Sequence, residues 1–308
     1  MEDTLYICNE IVEYLIPQKE PEEGKRWSYS FVYYLEDLRN IYWLYEKNDI
    51  DSIPDLYRKC KDLSLKSWNG KAWNQRNLLE LVNALKNFGL LSIERNEVCQ
   101  RGLFKETSFE APISEDDKKV FVEIYKTYFR FREFHNLFTN TESLIYYIQG
   151  GRFTNRFLLT KAPPYRIVGI SEEHSDMMRF WDVFIKWGQS LDMLKKYPLK
   201  PFNISTDTKV KGLSIAYLCH AMPKDFSVFA YIKAEMQGSY FYIPDVIYTI
   251  ITAKGYSVED ILKKIIEESV KKSNIFRAQS TSAIFINEKE TFLFPKIGNT
   301  YITHLLKL

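Results

Sequence analysis

The chain has 308 residues, 45% of them hydrophobic and 27% charged, with a net charge of +2. That is length for two or three domains with real cores, and it excludes disordered and fibrous classes. Cys8, Cys60, Cys99 and Cys219 stand far apart without CxxC spacing, which argues against a zinc site and a disulfide-framed secreted domain.

No apolar run approaches the roughly 20 residues of a membrane span. The first twenty residues carry four Glu and one Asp, not the basic start of a signal peptide. A chain without membrane contact in a reducing cytoplasm is the expectation. Charge is unevenly spread. Residues 1–57 hold 13 acidic and 5 basic side chains, a balance of −8, so the remaining 251 sum to +10. A basic body can meet polyanions while an acidic head docks a protein partner; solvated faces alone could produce the same split.

In chain order, residues 1–30 hold a short amphipathic helix, Glu2–Ile16, and a polar Pro- and Gly-containing linker. Residues 31–111 read as helix, helix, helix, hairpin. Phe31–Lys47 has helical spacing; Ser52–Asp62 has Ser52 as N-cap and Pro54 in its first turn. Leu78, Leu81, Val82, Leu85 and Phe88 form one apolar stripe, closed by Gly89. Leu90–Glu94 and Leu103–Thr107 then read as strands around a polar tip carrying Arg95 and Arg101.

Residues 112–200 begin with Ser114 capping one long aromatic helix, Lys118–Phe138. A short helix at Thr141–Gln149, a β-like stretch at Arg152–Ile170 and a helix over Glu172–Tyr197 follow. RFWDVFIKWGQSLDML loosely echoes NLLELVNALKNFGLLS, a weak internal repeat. Residues 201–242 form a basic connector whose end, Ser227–Tyr242, reads as strand or irregular. Residues 243–308 supply a helix with Pro244 in its first turn and Gly255 as its stop. A second helix follows, capped by Ser257, then short strands at Ala283–Ile286, Thr291–Phe294 and Tyr301–Leu306. The fold class expected is α+β, mainly helical, in tandem modules with short hairpins.

Residues 71–107, KAWNQRNLLELVNALKNFGLLSIERNEVCQRGLFKET, resemble the third helix and wing of winged-helix domains, a helix-turn-helix variant. Similar segments occur in the tandem winged-helix recognition parts of some prokaryotic restriction and mobile-element defence proteins. The resemblance implies a recognition helix led by Asn74–Asn77, including Gln75 and Arg76, with Lys71 just before it, and Arg95–Arg101 as the wing. The same residues are also good helix-start and loop residues.

Arg152, Arg156, Lys161 and Arg166 lie interleaved with aromatics between Ser143 and Ser171, where no acidic residue occurs. That pattern suits phosphate tracking, or a strand whose arginines face solvent. Lys271, Lys272 and Arg277 extend the candidate set into the last module. Catalytic motifs are missing. There is no phosphate-binding glycine loop, the four histidines are scattered, and no strand Asp precedes a Glu-x-Lys pair. No cofactor and no metal are expected. The lead function is duplex DNA binding by a non-catalytic subunit of a prokaryotic assembly, with homodimerisation open. A protein-docking scaffold is the alternative, and a nuclease of unrecognised motif the third.

Overall fold

The computed structural model describes residues 31–105, 107–140, 144–148, 156–160, 167–169, 175–198, 214–271, 275–280 and 288–308. The protein is α+β and mainly helical, with small antiparallel sheets. It divides into two compact units, one within Thr4–Leu194 and one containing Lys195–Leu308. The division falls at Leu194/Lys195, and residues 111–112 lie inside the first unit. The N-terminal helix and linker expected over residues 1–30 lie outside the described residues.

Helices α1 (Leu35–Lys47), α2 (Ile53–Asp62) and α3 (Gln75–Asn87) form where periodicity places them. Ser52 caps α2 by accepting from Asp55 N, and Gly89 follows α3 at φ 71°. α1 is the axis of the unit. Ten of its thirteen residues are buried, and these include Asp37, Arg39 and Asn40. Buried polar groups need partners, and the chain brings them. Arg39 Nη1 and Nη2 donate to the carbonyls of Pro112 (3.0 Å) and Ala111 (2.6 Å). Asn40 Nδ2 donates to Phe109 O at 2.8 Å. Phe109–Pro112 is therefore stapled to α1.

The hairpin expected after α3 is much reduced. Its arms are not strands: the chain reverses within Leu91–Val98, a single bridge flanked by Ser92 N to Glu97 O (2.8 Å) and Cys99 N to Leu90 O (3.0 Å). Phe104, expected on the second arm, is buried edge-on to Tyr42 at 5.0 Å and stacked on Phe121 at 5.2 Å. Its apolar neighbourhood reflects core packing, not β pairing.

Ser114 caps α4 (Glu115–Thr127) through Asp117 N. The single long helix expected here breaks at Tyr128, φ −62° and ψ 126°, and resumes as α5 (Phe129–Asn140). The short helix expected over Thr141–Gln149 is corrected to strand β1 (Leu144–Ile148), whose Ile and Tyr content suits a pleated surface. β1 pairs antiparallel with β2 (Arg156–Thr160), and β2 with β3 (Ile167–Gly169).

α6 (Ser175–Ser190) completes the unit. Tyr125 stacks on Phe184 at 5.0 Å, Phe131 lies 4.7 Å from Trp187, and Trp187 Nε1 donates to Val32 O at 2.9 Å. These rings draw on a chain that is 16% aromatic. Gly188 lies inside α6 and does not stop it, so the echo of α3 does not extend to the glycine. A Cβ there would overlap Leu194 Cδ1 and come within 2.7 Å of Tyr125 Oη.

In the second unit, β5 (Ser214–Leu218) lies beside β4 (Leu194–Tyr197), the strand at the division. Ser227–Tyr242 is neither irregular nor connector: Ser227 caps α7 (Val228–Glu235), and β6 (Tyr240–Tyr242) follows. Next come α8 (Ile243–Lys254), a turn with Gly255 at φ 69°, and α9 (Val258–Val270), capped by Ser257. β7 (Phe276–Gln279) is followed by a 3-10 turn, Glu288–Leu293, in place of the strand expected at Thr291–Phe294. The strand expected at Ala283–Ile286 lies outside the described residues. A small hairpin, β8 (Lys296–Ile297) and β9 (Thr300–Tyr301), leads to β10 (His304–Lys307).

β10 is the centre of a three-stranded antiparallel sheet, order β6-β10-β7. Val228 and Ile232 of α7, Val246 and Ile250 of α8, Ile261 and Ile265 of α9 and Leu305 of β10 form its core. Glu268 of α9 accepts from Val228 N (3.1 Å) and Phe229 N (2.8 Å), satisfying free amides at the α7 N-terminus.

Candidate nucleic-acid interface

The chain between α2 and α3 is a tight hairpin closed by a Lys66–Ala72 bridge. Ser67 N donates to Lys71 O (2.9 Å) and Gly70 N to Ser67 O (2.7 Å), with Gly70 at φ 79°. Asp37 of α1 holds it from beneath: its two oxygens accept from Ser67 Oγ and Trp68 N, both at 2.7 Å. Burial pushes the Asp37 carboxyl up to about 6, against the lowering effect of those two hydrogen bonds. This anchor fixes Lys71 at the hairpin's return arm, and Trp73, almost fully buried, locks the entry into α3.

Asn74 is the N-cap of α3. Its backbone is extended and its Oδ1 accepts from Asn77 N at 2.9 Å. Gln75 and Arg76 are exposed on the first turn, while Leu78, Leu81, Val82 and Leu85 bury the opposite face. Between this turn and the segment entering α1 lies an open groove of about 750 Å³. Phe31, Tyr34 and Trp73 contribute aromatic walls, Lys71 and Arg76 contribute cations, and none of the described residues lining it is acidic.

The Arg76 guanidinium sits 5.9 Å from the Phe31 ring, and the Lys186 ammonium 5.2 Å from the Tyr34 ring. Phe31 holds φ 68°, a left-handed conformation that costs a non-glycine residue about 1–3 kcal/mol and clusters at functional sites. Asn77 Oδ1, also at the groove, is buried without a hydrogen-bond partner.

Arg95 and Arg101 line a different depression, of about 680 Å³. Five carboxylates line it (Glu46, Asp49, Asp51, Glu94 and Glu97) against three cations, Lys47, Arg95 and Arg101. Phosphate would meet more negative than positive charge there. Arg156 opens β2, in register with Ile148 of β1. Arg152, Lys161, Arg166 and Lys272 lie outside the described residues. Lys271 is exposed at the end of α9, and Arg277 is exposed on β7 opposite Leu306. The exposed residues Glu259, Lys263, Glu267 and Lys271 alternate in sign along α9, the pattern of a solvated helix face.

The structure thus brings Lys71, Gln75 and Arg76 to one groove and leaves Arg95 and Arg101 at another. Sequence reasoning missed Phe31, Tyr34, Trp73 and Lys186. The run FVYY at the entry to α1 was the available signal, but it reads equally as the start of the helical stripe. The Cys219 thiol lies 3.9 Å from the His220 carbonyl oxygen, and His220 N donates to Gly255 O. Among the described residues no group of three or more metal-ligating side chains comes together, and no helix is long and apolar enough to cross a membrane. No protein-family model, curated protein or solved structure matches the chain.

Proposed function

We propose that the protein binds nucleic acid without catalysing its chemistry, as a DNA-binding subunit of a larger prokaryotic assembly. The observation that carries this reading is the groove at the start of α3: aromatic walls, two cations and no carboxylate among the described residues that line it. Cations set affinity for phosphate, and exposed amide side chains such as Gln75 suit base edges.

The second unit supports a winged-helix reading by its order. Helix, strand, helix, three-residue turn with glycine, helix, strand and returning central strand is the sequence of elements such a module has. α8 and α9 would be its helix-turn-helix, and the described residues 288–303 part of its wing. In the first unit, α1 to α3 with the short Leu91–Val98 reversal would be a reduced version.

One observation favours a second reading. α9, the recognition helix of such a module, presents Glu259, Asp260 and Glu267 to solvent, which repel phosphate and suit docking to a protein. A winged helix used as a docking scaffold would look like this.

Titration of the full chain into labelled duplex and single-stranded DNA at low salt tests the first reading. Binding that the K71E/R76E double variant weakens at least tenfold, with unchanged circular dichroism, supports it. Absence of binding to any nucleic acid at low salt would leave the docking reading.

A further inference from the structure

We infer that the groove at the start of α3 takes one unpaired nucleotide, its base against the aromatic walls and its phosphate at Lys71 and Arg76. The inference rests on the nucleic-acid reading and narrows it to DNA with a single-stranded end or gap. In a duplex the base faces are covered by stacking, and only edges and phosphates are accessible. An aromatic wall gains little from such a ligand and much from an unpaired base, because base–aromatic stacking needs a free π face.

The wall chemistry agrees. Phe31 and Tyr34 lie on the chain entering α1, across from the Lys71–Asn77 segment, and all line the same groove. Arg76 near the Phe31 ring and Lys186 near the Tyr34 ring place positive charge beside both aromatic groups. The groove's volume, about 750 Å³, falls in the range of small-ligand sites.

The α3 N-terminus itself is not the ligand site, since the Asn74 side chain already occupies Asn77 N. What remains for a base edge is the exposed Gln75 amide. A neutral apolar ligand would leave Lys71 and Arg76 unused, and a polyanion without rings would leave the aromatic walls unused. A nucleotide uses both.

The test is fluorescence anisotropy with the full chain and three labelled DNAs of equal charge: a blunt duplex, a duplex with a short single-stranded overhang, and a single strand. The overhang and the single strand should bind at least fivefold tighter than the blunt duplex. Tyr34→Ala should weaken overhang and single-strand binding at least fivefold more than blunt-duplex binding and so abolish that preference, and Tyr34→Phe, which keeps the ring, should retain it. K71E should weaken all three ligands. Equal binding of blunt and overhang DNA, unaffected by Tyr34→Ala, overturns the inference and leaves the nucleic-acid reading standing. No binding of any DNA at low salt overturns both.

Discussion

Replacing Arg39 by Met removes the staple between α1 and the Phe109–Pro112 segment while keeping a side chain of similar length. The guanidinium is completely buried and donates to the Ala111 and Pro112 carbonyls. It also lies 4.5 Å over the Trp43 ring and 4.0 Å from Asp117 Oδ2. Burial lowers its pKa, and Asp117 opposes that effect. A hydrogen bond to a charged group contributes about 1.5–3 kcal/mol, and breaking a buried pair by removing one partner costs about 3–5 kcal/mol. Two carbonyls and the Asp117 carboxylate lose their partner together, so a loss of about 3–5 kcal/mol is expected, a large share of a typical 5–15 kcal/mol. All six tryptophans precede residue 195, so tryptophan fluorescence during urea unfolding reports on the first unit alone. Arg39→Met should shift that transition by the stated amount and open residues 108–113 to limited proteolysis. Arg39→Lys, which keeps the charge but loses the planar fork, should fall between. A change within about 0.5 kcal/mol, the size of an ordinary surface substitution, would refute the staple and restore the segment as a linker.

Three single contacts give further tests. The folded Asp37 pKa, about 6, exceeds its ordinary value of 3.8, so the folded state binds more protons than the unfolded chain between those pH values. Its contribution therefore falls as pH rises through that window, by about 3 kcal/mol, and Asp37→Asn should shrink the stability drop between pH 4 and 7 by roughly 2–3 kcal/mol. An unchanged urea midpoint difference between the two pH values would contradict this. Gly188→Ala should destabilise the first unit by about 1–3 kcal/mol despite the better helix propensity of alanine, because Leu194 and Tyr125 are both buried and cannot step aside; a raised melting temperature in the tryptophan signal would count against it. Glu268→Ala should cost the second unit about 1–2 kcal/mol by freeing the Val228 and Phe229 amides, seen as faster hydrogen exchange at those two positions.

Helices with a cap and one apolar stripe were legible in the sequence. Ser52, Ser114 and Ser257 each accept from the amide three residues on, and Gly89 and Gly255 take left-handed conformations. The misreadings share one physical origin, which is that aromatic and β-branched residues serve helix cores and strands alike. LIYYI became β1 rather than helix. In the expected strand Leu103–Thr107, Phe104 packs on Tyr42 and Phe121 instead of joining a ladder. α7 escaped because its hydrophobic face, Val228, Phe229 and Ile232, is short, and its amide partner Glu268 lies 40 residues away. Of the candidate site, the cations and amides were visible as residue types at a helix start. The aromatic walls were not, because the groove forms only when Asp37 folds the Ser67–Lys71 turn back onto α1.

The salt dependence of binding is where these charges can be counted. Net charge points to residues 195–308, which hold 16 basic and 10 acidic side chains, a balance of +6. Local arrangement points the other way: the α9 charges alternate, whereas the groove carries Lys71 and Arg76, with Lys186 near Tyr34 and no acid among the described residues of its lining. Each phosphate contact adds about 0.7–0.9 to the slope of log affinity against log salt. If the groove carries the contact, its two cations, Lys71 and Arg76, give a slope of roughly −1 to −2, and K71E/R76E should remove most of it. A slope steeper than about −5, largely retained in that variant, would place the phosphate contacts on residues 195–308 and relegate the groove to a minor role.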